Sequence, residues 1–408
     1  MQNFNREYSA VVLGLSTCGL GVIRSLGKEN ITIFALDYEV KGHEAFYSKY
    51  AKSNVCPHPV YNPKKLIKYL IDEFGKTSKK PILFPTADEF VKFISDYRDE
   101  LEEYFLFNIS SKEIIDNIID KKVQYEQAKK VGVNIAETYY PESIEDIYKI
   151  KETLKYPLII KGRYSFKWRE ASGGTLKGFK ANNSSELLEK CQEIFKDKVP
   201  IIIQKIIIGP NTNHFKFCAY VNKEGEMLTK FTLKKIRQYP IEFGVGSCVE
   251  SLEYEELKKI GEKFFKEINY KGVGSAEFKL DSEDNKLKLI ELNPRYWMQN
   301  EQAAYCGVNF PLAQYLDLSG QEATAIEKFK TGVRWVDPVP DFKSFLGQQY
   351  KSLFSLFRWL KEIFRCEVFS LFSWQDLKPF LKSIRFSKKL FIYPWVVLKL
   401  SKNKETKI

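Results

Sequence analysis

Histidine is scarce in this chain, and cysteine never clusters. The three histidines (His43, His58, His214) lie too far apart in sequence to suggest a metal cluster by spacing. Seven cysteines (Cys18, Cys56, Cys191, Cys218, Cys248, Cys306, Cys366) stand singly, without a CxxC pair. That pattern argues against a disulfide framework or zinc site and for reduced thiols in a cytosol. No Ser/His/Asp or Cys/His constellation offers a side-chain nucleophile. No stretch approaches the ~20 uninterrupted apolar residues of a membrane-spanning helix. The opening MQNFNREYSAVVLGL lacks a basic leader and a small-residue cleavage site, so it reads as a first strand rather than a signal peptide. The glycines of GLSTCGLG (Gly14, Gly19, Gly21) fall as G-x4-G-x-G, not the dinucleotide G-x-G-x-x-G, and no phosphate-loop lysine follows. Internal repeats are absent too.

What is present is an ordinary folded composition. At 44% hydrophobic and 28% charged, the 408 residues suit two or three domains around sizeable cores rather than a disordered chain. The net charge of +12 is uneven. From Asp341 onward there are 14 lysines and arginines against 5 acids, so the body is nearly neutral and no nucleic-acid partner is expected. YSAVVLGL, VIRSLGKE and ITIFALD read as strand, helix and strand, opening a parallel α/β domain over residues 1–110. From Ser111 the order changes to helices interleaved with antiparallel strands, an α+β domain over 111–325 with subdomains 111–203 and 204–325. WVDPVPDF reads as a linker or turn into a basic, aromatic-rich extension over 326–408.

Three elements carry chemistry. Glu291 and Asn293 sit two apart on a strand and so share a face, and Glu277 reaches the same region across a hairpin. Two carboxylates and an amide oxygen make a hard-oxygen site suited to Mg²⁺, although solvated positions on an exposed sheet would show the same spacing. Lys161 closes the apolar run PLII, where an ammonium needs a partner such as phosphate, and Ser172-Gly173-Gly174-Thr175 has free backbone N–H groups to cover phosphates. Gln204, Lys205, Ile206 and Ile207 leave a buried strand and can present backbone groups to a purine edge; a plain core strand is the alternative.

In that order, Lys161, SGGT, QKII, Glu277 and Glu291-x-Asn293 within ELNPR, the chain resembles the ATP-grasp superfamily over roughly residues 8–320. PTADEF, KKIRQYP and Gly244-Val245-Gly246 make it most similar to the carboxylate–amine ligase group that includes D-aspartate ligase, alongside carbamoyl-phosphate synthase-like domains. The resemblance implies a parallel domain that precedes a two-subdomain ATP-grasp fold with antiparallel sheets. It also implies ATP as cofactor and two Mg²⁺ ions, with Mn²⁺ as a substitute. By position, Lys121 and Lys161 would contact phosphates, with Gln204 and the Lys205–Ile207 backbone on adenine. Glu277, Glu291 and Asn293 would hold metal, Arg295 would steady the acyl-phosphate, and Lys235 or Arg237 would lie near the γ-phosphate or substrate carboxylate. The ribose position carries Asn211 where an acid is common. His43, Asp88, Glu89, Tyr164, Lys167, Trp168, Arg169 and Arg237 would line the acceptor pocket.

The implied reaction is ADP-forming: a small-molecule carboxylate becomes an acyl-phosphate and is joined to an amine, with no protein nucleophile required. The alternatives are a nicotinamide dehydrogenase, which the glycine spacing disfavours, and a non-catalytic ATP-binding or membrane-surface scaffold. LFSLFRWLKEIFR and FLKSIRFSKKLFIYPWVVLKLSKNK interleave aromatics with cations, as suits either helices packed on the body or peripheral contact with the inner face of a membrane. The second case favours a lipid-linked or surface-polysaccharide acceptor. A cytoplasmic homodimer is the default assembly.

Overall fold

The computed structural model describes residues 4–165, 167–168, 178–196, 199–323, 325–326, 328–347 and 353–386. The first domain is built on four parallel strands, β1 (Ala10–Leu13), β2 (Ile33–Asp37), β3 (Lys52–Val55) and β4 (Ile82–Pro85), in the order β3-β2-β1-β4. β1 and β4 are wholly apolar because helices cover both faces of a parallel sheet. The chain leaves β1 through Gly14 at φ +98°, a conformation that favours glycine. Ser16 then caps the helix Thr17–Gly27 by accepting from Cys18 N.

The three glycines of that turn are spent on packing. A Cβ on Gly19 would meet Gly14 O at 2.1 Å, and one on Gly21 would meet Asn300 Oδ1 at 2.4 Å. Close approach of the turn to its own helix, and of that helix to the second domain, accounts for the spacing without a dinucleotide.

A second sheet, antiparallel and in the order β5-β8-β6-β7, comprises β5 (Thr138–Tyr139), β6 (Leu158–Gly162), β7 (Phe179–Ala181) and β8 (Ile201–Lys205). The helices Ile144–Ile150 and Ser184–Lys196 cover it through Ile147, Leu187 and Cys191. β8 carries Gln204 inside this sheet, so the boundary expected at 203/204 falls a few residues later.

The third sheet holds seven strands: β9 (His214–Val221), β10 (Met227–Tyr239), β11 (Val245–Ser251), β12 (Gly272–Leu280), β13 (Leu287–Asn293), β14 (Arg334–Val336) and β15 (Val368–Phe369). Their order is β13-β12-β9-β10-β11-β14-β15, antiparallel except for the last pair. On one face the helix Glu255–Glu267 brings Gly261 against the Phe217 ring, where a Cβ would lie 2.4 Å from it. On the other, Cys218, Tyr220, Leu233 and Val249 share a core with Leu20, Val22 and Ile23 of the first domain. That shared core locks the two domains together and sets the end of the parallel sheet above the third sheet.

The body does not end near residue 325. β14 pairs with β11, β15 extends it, and WVDPVPDF forms part of β14 and the start of the helix Pro338–Gly347 instead of a linker. A three-residue strand next to two prolines leaves too little alternation to be read from sequence. Among the described residues, no helix is long and apolar enough to cross a membrane.

Candidate active site

Strand register builds the site. Glu277 of β12 pairs directly with Glu291 of β13 on one side and with Lys216 of β9 on the other, a row of charges across three strands. Directly opposed like charges are destabilising in a sheet. The local cations offset this: Lys216 Nζ lies 3.1 Å from Glu277 Oε1, and Lys235 Nζ lies 3.8 Å from Oε2. The side chains of this trio are only 10–13% exposed. Lys216, Lys235 and Glu277 line a small cavity with Phe215, Val249 and Gln299. Gln299 gives its amide N–H to Gly246 O at 3.2 Å, and its buried Oε1 has no partner.

Beside the row, Asn293 donates to Glu291 Oε1 at 3.3 Å, and Arg295 Nη2 donates to Asn293 Oδ1 at 3.3 Å. Arg295 also donates from Nε to Asp88 Oδ1 at 2.7 Å, at the N-terminus of the helix Asp88–Asp96 in the first domain. Burial works against the Arg295 charge, yet Asp88, Cys18 and Glu291 hold its pKa above the ordinary arginine value. One guanidinium thus joins the carboxylate row to the C-terminal edge of the parallel sheet, where such sheets usually present their ligands.

The lysines expected on phosphate come from the other subdomain. Asp120 caps the helix Lys121–Lys130 by accepting from Lys122 N, and it accepts from Arg163 Nε at 2.7 Å and Tyr164 OH at 2.8 Å. This pins Lys121 against the end of β6, where its ammonium donates to Ser165 Oγ at 2.6 Å. Lys161 Nζ lies 3.0 Å from Tyr125 OH, and that hydroxyl donates to Ile290 O at 2.5 Å, next to Glu291. Burial pulls the Lys121 ammonium below its ordinary value; Lys161 adds to the shift while Glu291 and Tyr125 oppose it. Two neighbouring ammoniums, one of them buried, suit a polyanion that would lie against both.

Other expected residues fall elsewhere. Gln204 is buried and donates to Thr138 Oγ1 at 2.8 Å. The Lys205 and Ile206 amides are bonded to Glu137 O and Pro157 O, and Ile207 O accepts from Lys279. Asn211 lies in a one-turn 3-10 helix and donates to Ile241 O at 3.4 Å. Trp168 is a core residue rather than a pocket wall, with its Cβ 2.3 Å from where one on Gly162 would stand. Tyr164 supports Asp120, and Lys167 lies over the Tyr164 ring. His43 pairs with Asp37, and Glu89 accepts from Tyr38 OH at 3.0 Å. Ser172, Gly173, Gly174 and Arg169 lie outside the described residues.

Arg237 is the main correction. Two residues from Lys235, it would share its face on a regular strand, but register shifts on both sides of Arg237 break the alternation. Its guanidinium instead donates from Nε to Asp341 Oδ1 at 2.9 Å and Oδ2 at 3.1 Å, and pairs with Glu362. Burial opposes that charge, and Asp341 more than restores it. Conversely, Lys216 was not anticipated, although a lysine within the apolar run HFKFCAYV gives the same signal as Lys161.

Among the described residues, no group of three or more His, Cys, Asp and Glu is placed to hold a metal. Two opposed carboxylates with an adjacent amide fit Mg²⁺ nonetheless, because that ion takes few protein carboxylates and completes its shell with water and phosphate oxygens.

The architecture is therefore an α/β domain set against two antiparallel subdomains, with Lys121 of one subdomain close enough to Glu291 of the other to feel its charge. Residues 120–305 match the family described as carbamoyl-phosphate synthase L chain, ATP binding domain, and form an ATP-grasp domain. The chain is 22% identical over 303 residues to D-aspartate ligase from Enterococcus faecium (strain Aus0004), covering 71% of this chain and 72% of that one. It is 24% identical over 213 residues to the carbamoyl phosphate synthase large chain of Thermoanaerobacter sp. (strain X514), half of this chain but 19% of that protein. The fold superposes on N5-carboxyaminoimidazole synthetase from Staphylococcus aureus with TM-score 0.61 at 16% identity, over 82% of this chain and 83% of that one.

Proposed function

We propose that this protein is an ADP-forming ligase that uses ATP and Mg²⁺ to activate a carboxylate as an acyl-phosphate and join it to an amine. One observation carries the reading: Glu277 and Glu291 are held directly opposite each other, with Lys216 and Lys235 on Glu277 and with Lys121, itself beside Lys161, close enough to act on Glu291. Such an arrangement makes sense where a divalent cation and a chain of phosphates complete the charge.

Lys121 and Lys161 would neutralise the phosphates, and Glu277, Glu291 and Asn293 would hold the metal. When bound, Mg²⁺ supplies charge neutralisation at the transferring phosphoryl group. Substrate carboxylate oxygen attacks the γ-phosphorus, and the bond to the ADP oxygen breaks. Arg295, fixed by Asp88, faces the resulting acyl-phosphate. The amine then attacks the acyl carbon, phosphate leaves with the C–O electron pair, and the amine proton passes to solvent or phosphate. A relative named D-aspartate ligase supports the carboxylate–amine class.

The test is ADP and phosphate release with Mg-ATP across paired carboxylic acids and amines, with Glu291→Ala in parallel. Release that requires both substrates and vanishes in the variant supports a ligase. Nucleotide binding without turnover directs the panel to lipid-linked or polysaccharide acceptors. No nucleotide binding overturns the reading.

A further inference from the structure

The helix Leu353–Ile363 is apolar on two sides. Its inner side is fully used: Trp359 donates to Asp341 Oδ2 at 2.8 Å and stacks on Phe345, while Ile363 packs against Cys248 and Val336. Yet Phe357 (69% exposed) and Leu360 stand out to solvent, and Phe364, 85% exposed, continues that line one turn on. Spacings of three and four residues place them on one stripe. Farther along, Trp374 (81% exposed), Leu377 and Leu381 are exposed too. Among the described residues, the exposed phenylalanines and tryptophan all fall in this segment.

The polar residues beside the stripe have one sign. Arg358, Lys361, Arg365 and Lys378 are exposed, with Lys382 partly so. The segment's three acids are engaged with the body: Glu362 on Arg237, Glu367 on Arg334 N at 2.8 Å, and Asp376 buried on Arg24. Arg358 reaches Glu362 at 3.7 Å, and the other exposed cations have no acid of the segment to neutralise them. The face is also rigidly anchored. Asp376 accepts from Arg24 Nε at 3.2 Å, Ser48 Oγ at 2.8 Å and Lys49 N at 3.0 Å, tying the segment to the first domain. Residues 387–408 continue the composition, with six lysines against one glutamate around FIYPWVVL.

We propose that this C-terminal face docks on an anionic lipid bilayer. Bulky aromatics enter the headgroup boundary while the flanking cations meet lipid phosphates, the charge complement that Lys361, Arg365 and Lys378 lack among the described residues of the segment. An acidic protein surface or a second copy of the chain would contact the same stripe, and the experiment distinguishes them.

The full-length protein is sedimented with phosphatidylcholine vesicles, with and without phosphatidylglycerol, over a series of salt concentrations. Binding should require phosphatidylglycerol and weaken as salt rises. Neutralising two cations, Arg358→Gln with Lys361→Gln, should lower partitioning roughly 10- to 30-fold, since each cation contributes about a fivefold factor. Phe357→Ser with Phe364→Ser should lower it at least as much, with the thermal transition unchanged because both sites are exposed. Absent binding, equal binding to both vesicle types, or variants that bind like the parent would overturn the proposal. So would conversion of an oligomer to monomer by Phe357→Ser/Phe364→Ser in a protein that ignores vesicles. Ligation plays no part in the readout, so failure here is separable from failure of the ligase reading.

Discussion

Two groups of charges lie on the same seven-stranded sheet and are handled in opposite ways. At one end, Glu277 and Glu291 are set against each other, with Lys216 and Lys235 on Glu277 and with Lys121 and Arg295 near Glu291. Toward the other, Arg237 meets Asp341, which also accepts from Ser247 Oγ and Trp359 Nε1, and which is 0% exposed. In the second group Asp341 and Glu362 pair the guanidinium through Nε and Nη1, leaving only its Nη2 without a partner, and the charge joins the C-terminal helices to the sheet. In the first, two like charges are held side by side and cations from both subdomains converge on them. Charge left in tension marks a place for a ligand, whereas charge matched and buried marks architecture.

The comparison breaks if Glu291 is itself architectural. Glu291→Gln should lower ligation, read as ADP release, about 100-fold or more, the scale of removing one group that stabilises developing charge. Its melting temperature should stay close to the parent's, because relief of the repulsion from Glu277 is countered by the lost attraction to Lys121 and Arg295. A fall in melting temperature with activity largely kept would reverse the assignment.

Asp341→Ala tests the opposite pole. It leaves the buried Arg237 guanidinium with Glu362 alone, so the loss should approach that of a buried pair broken on one side, about 3–5 kcal/mol. Urea denaturation should show that loss, and Arg237→Met combined with Asp341→Leu should recover most of it. If the single variant is as stable as the parent, the network is not what secures the helices.

A smaller effect is expected at Lys216. Lys216→Met removes one of the two cations on Glu277 while keeping the aliphatic stem, so turnover should fall about tenfold with ATP affinity changed in the same direction. Unchanged kinetics would confine Lys216 to neutralising Glu277.

How far these two groups could be read from sequence follows from what each depends on. Glu277, Glu291, Asn293 and Lys161 were legible because they depend on strand alternation and on charge within an apolar run, both local signals. The parallel first domain was legible for the same reason. Arg237 was misplaced because its direction is set by an irregularity in β10 that leaves no mark in KKIRQYP. The attachment of residues 334–336 to β11 was invisible because a three-residue strand is defined by its partner rather than by its own pattern. Asp88 as the clamp on Arg295 was hidden by a separation of 207 positions along the chain. Local periodicity thus reveals the charges, and only tertiary packing shows which are left in tension.

The last test concerns a carboxyl beside the matched group, on the side away from Glu277 and Glu291. Asp337 follows β14 and begins the turn into the helix that carries Asp341, its amide donating to Ser247 O. Burial is the main cause of its raised pKa, pushed up to about 6, with the negative charges of Glu44 and Asp341 adding to it. The sign follows from linkage. A carboxyl whose pKa is higher folded than unfolded favours the folded state below the unfolded value near 4, and loses that contribution as pH rises through about 6. Asp337→Asn keeps the shape and removes the titration. Its melting temperature relative to the parent should therefore improve between pH 4.5 and pH 7.5, with nearly all of the gain below pH 7. A pH-independent difference would mean that Asp337 ionises as freely in the fold as in the unfolded chain, and that the matched region tolerates an unpaired charge after all.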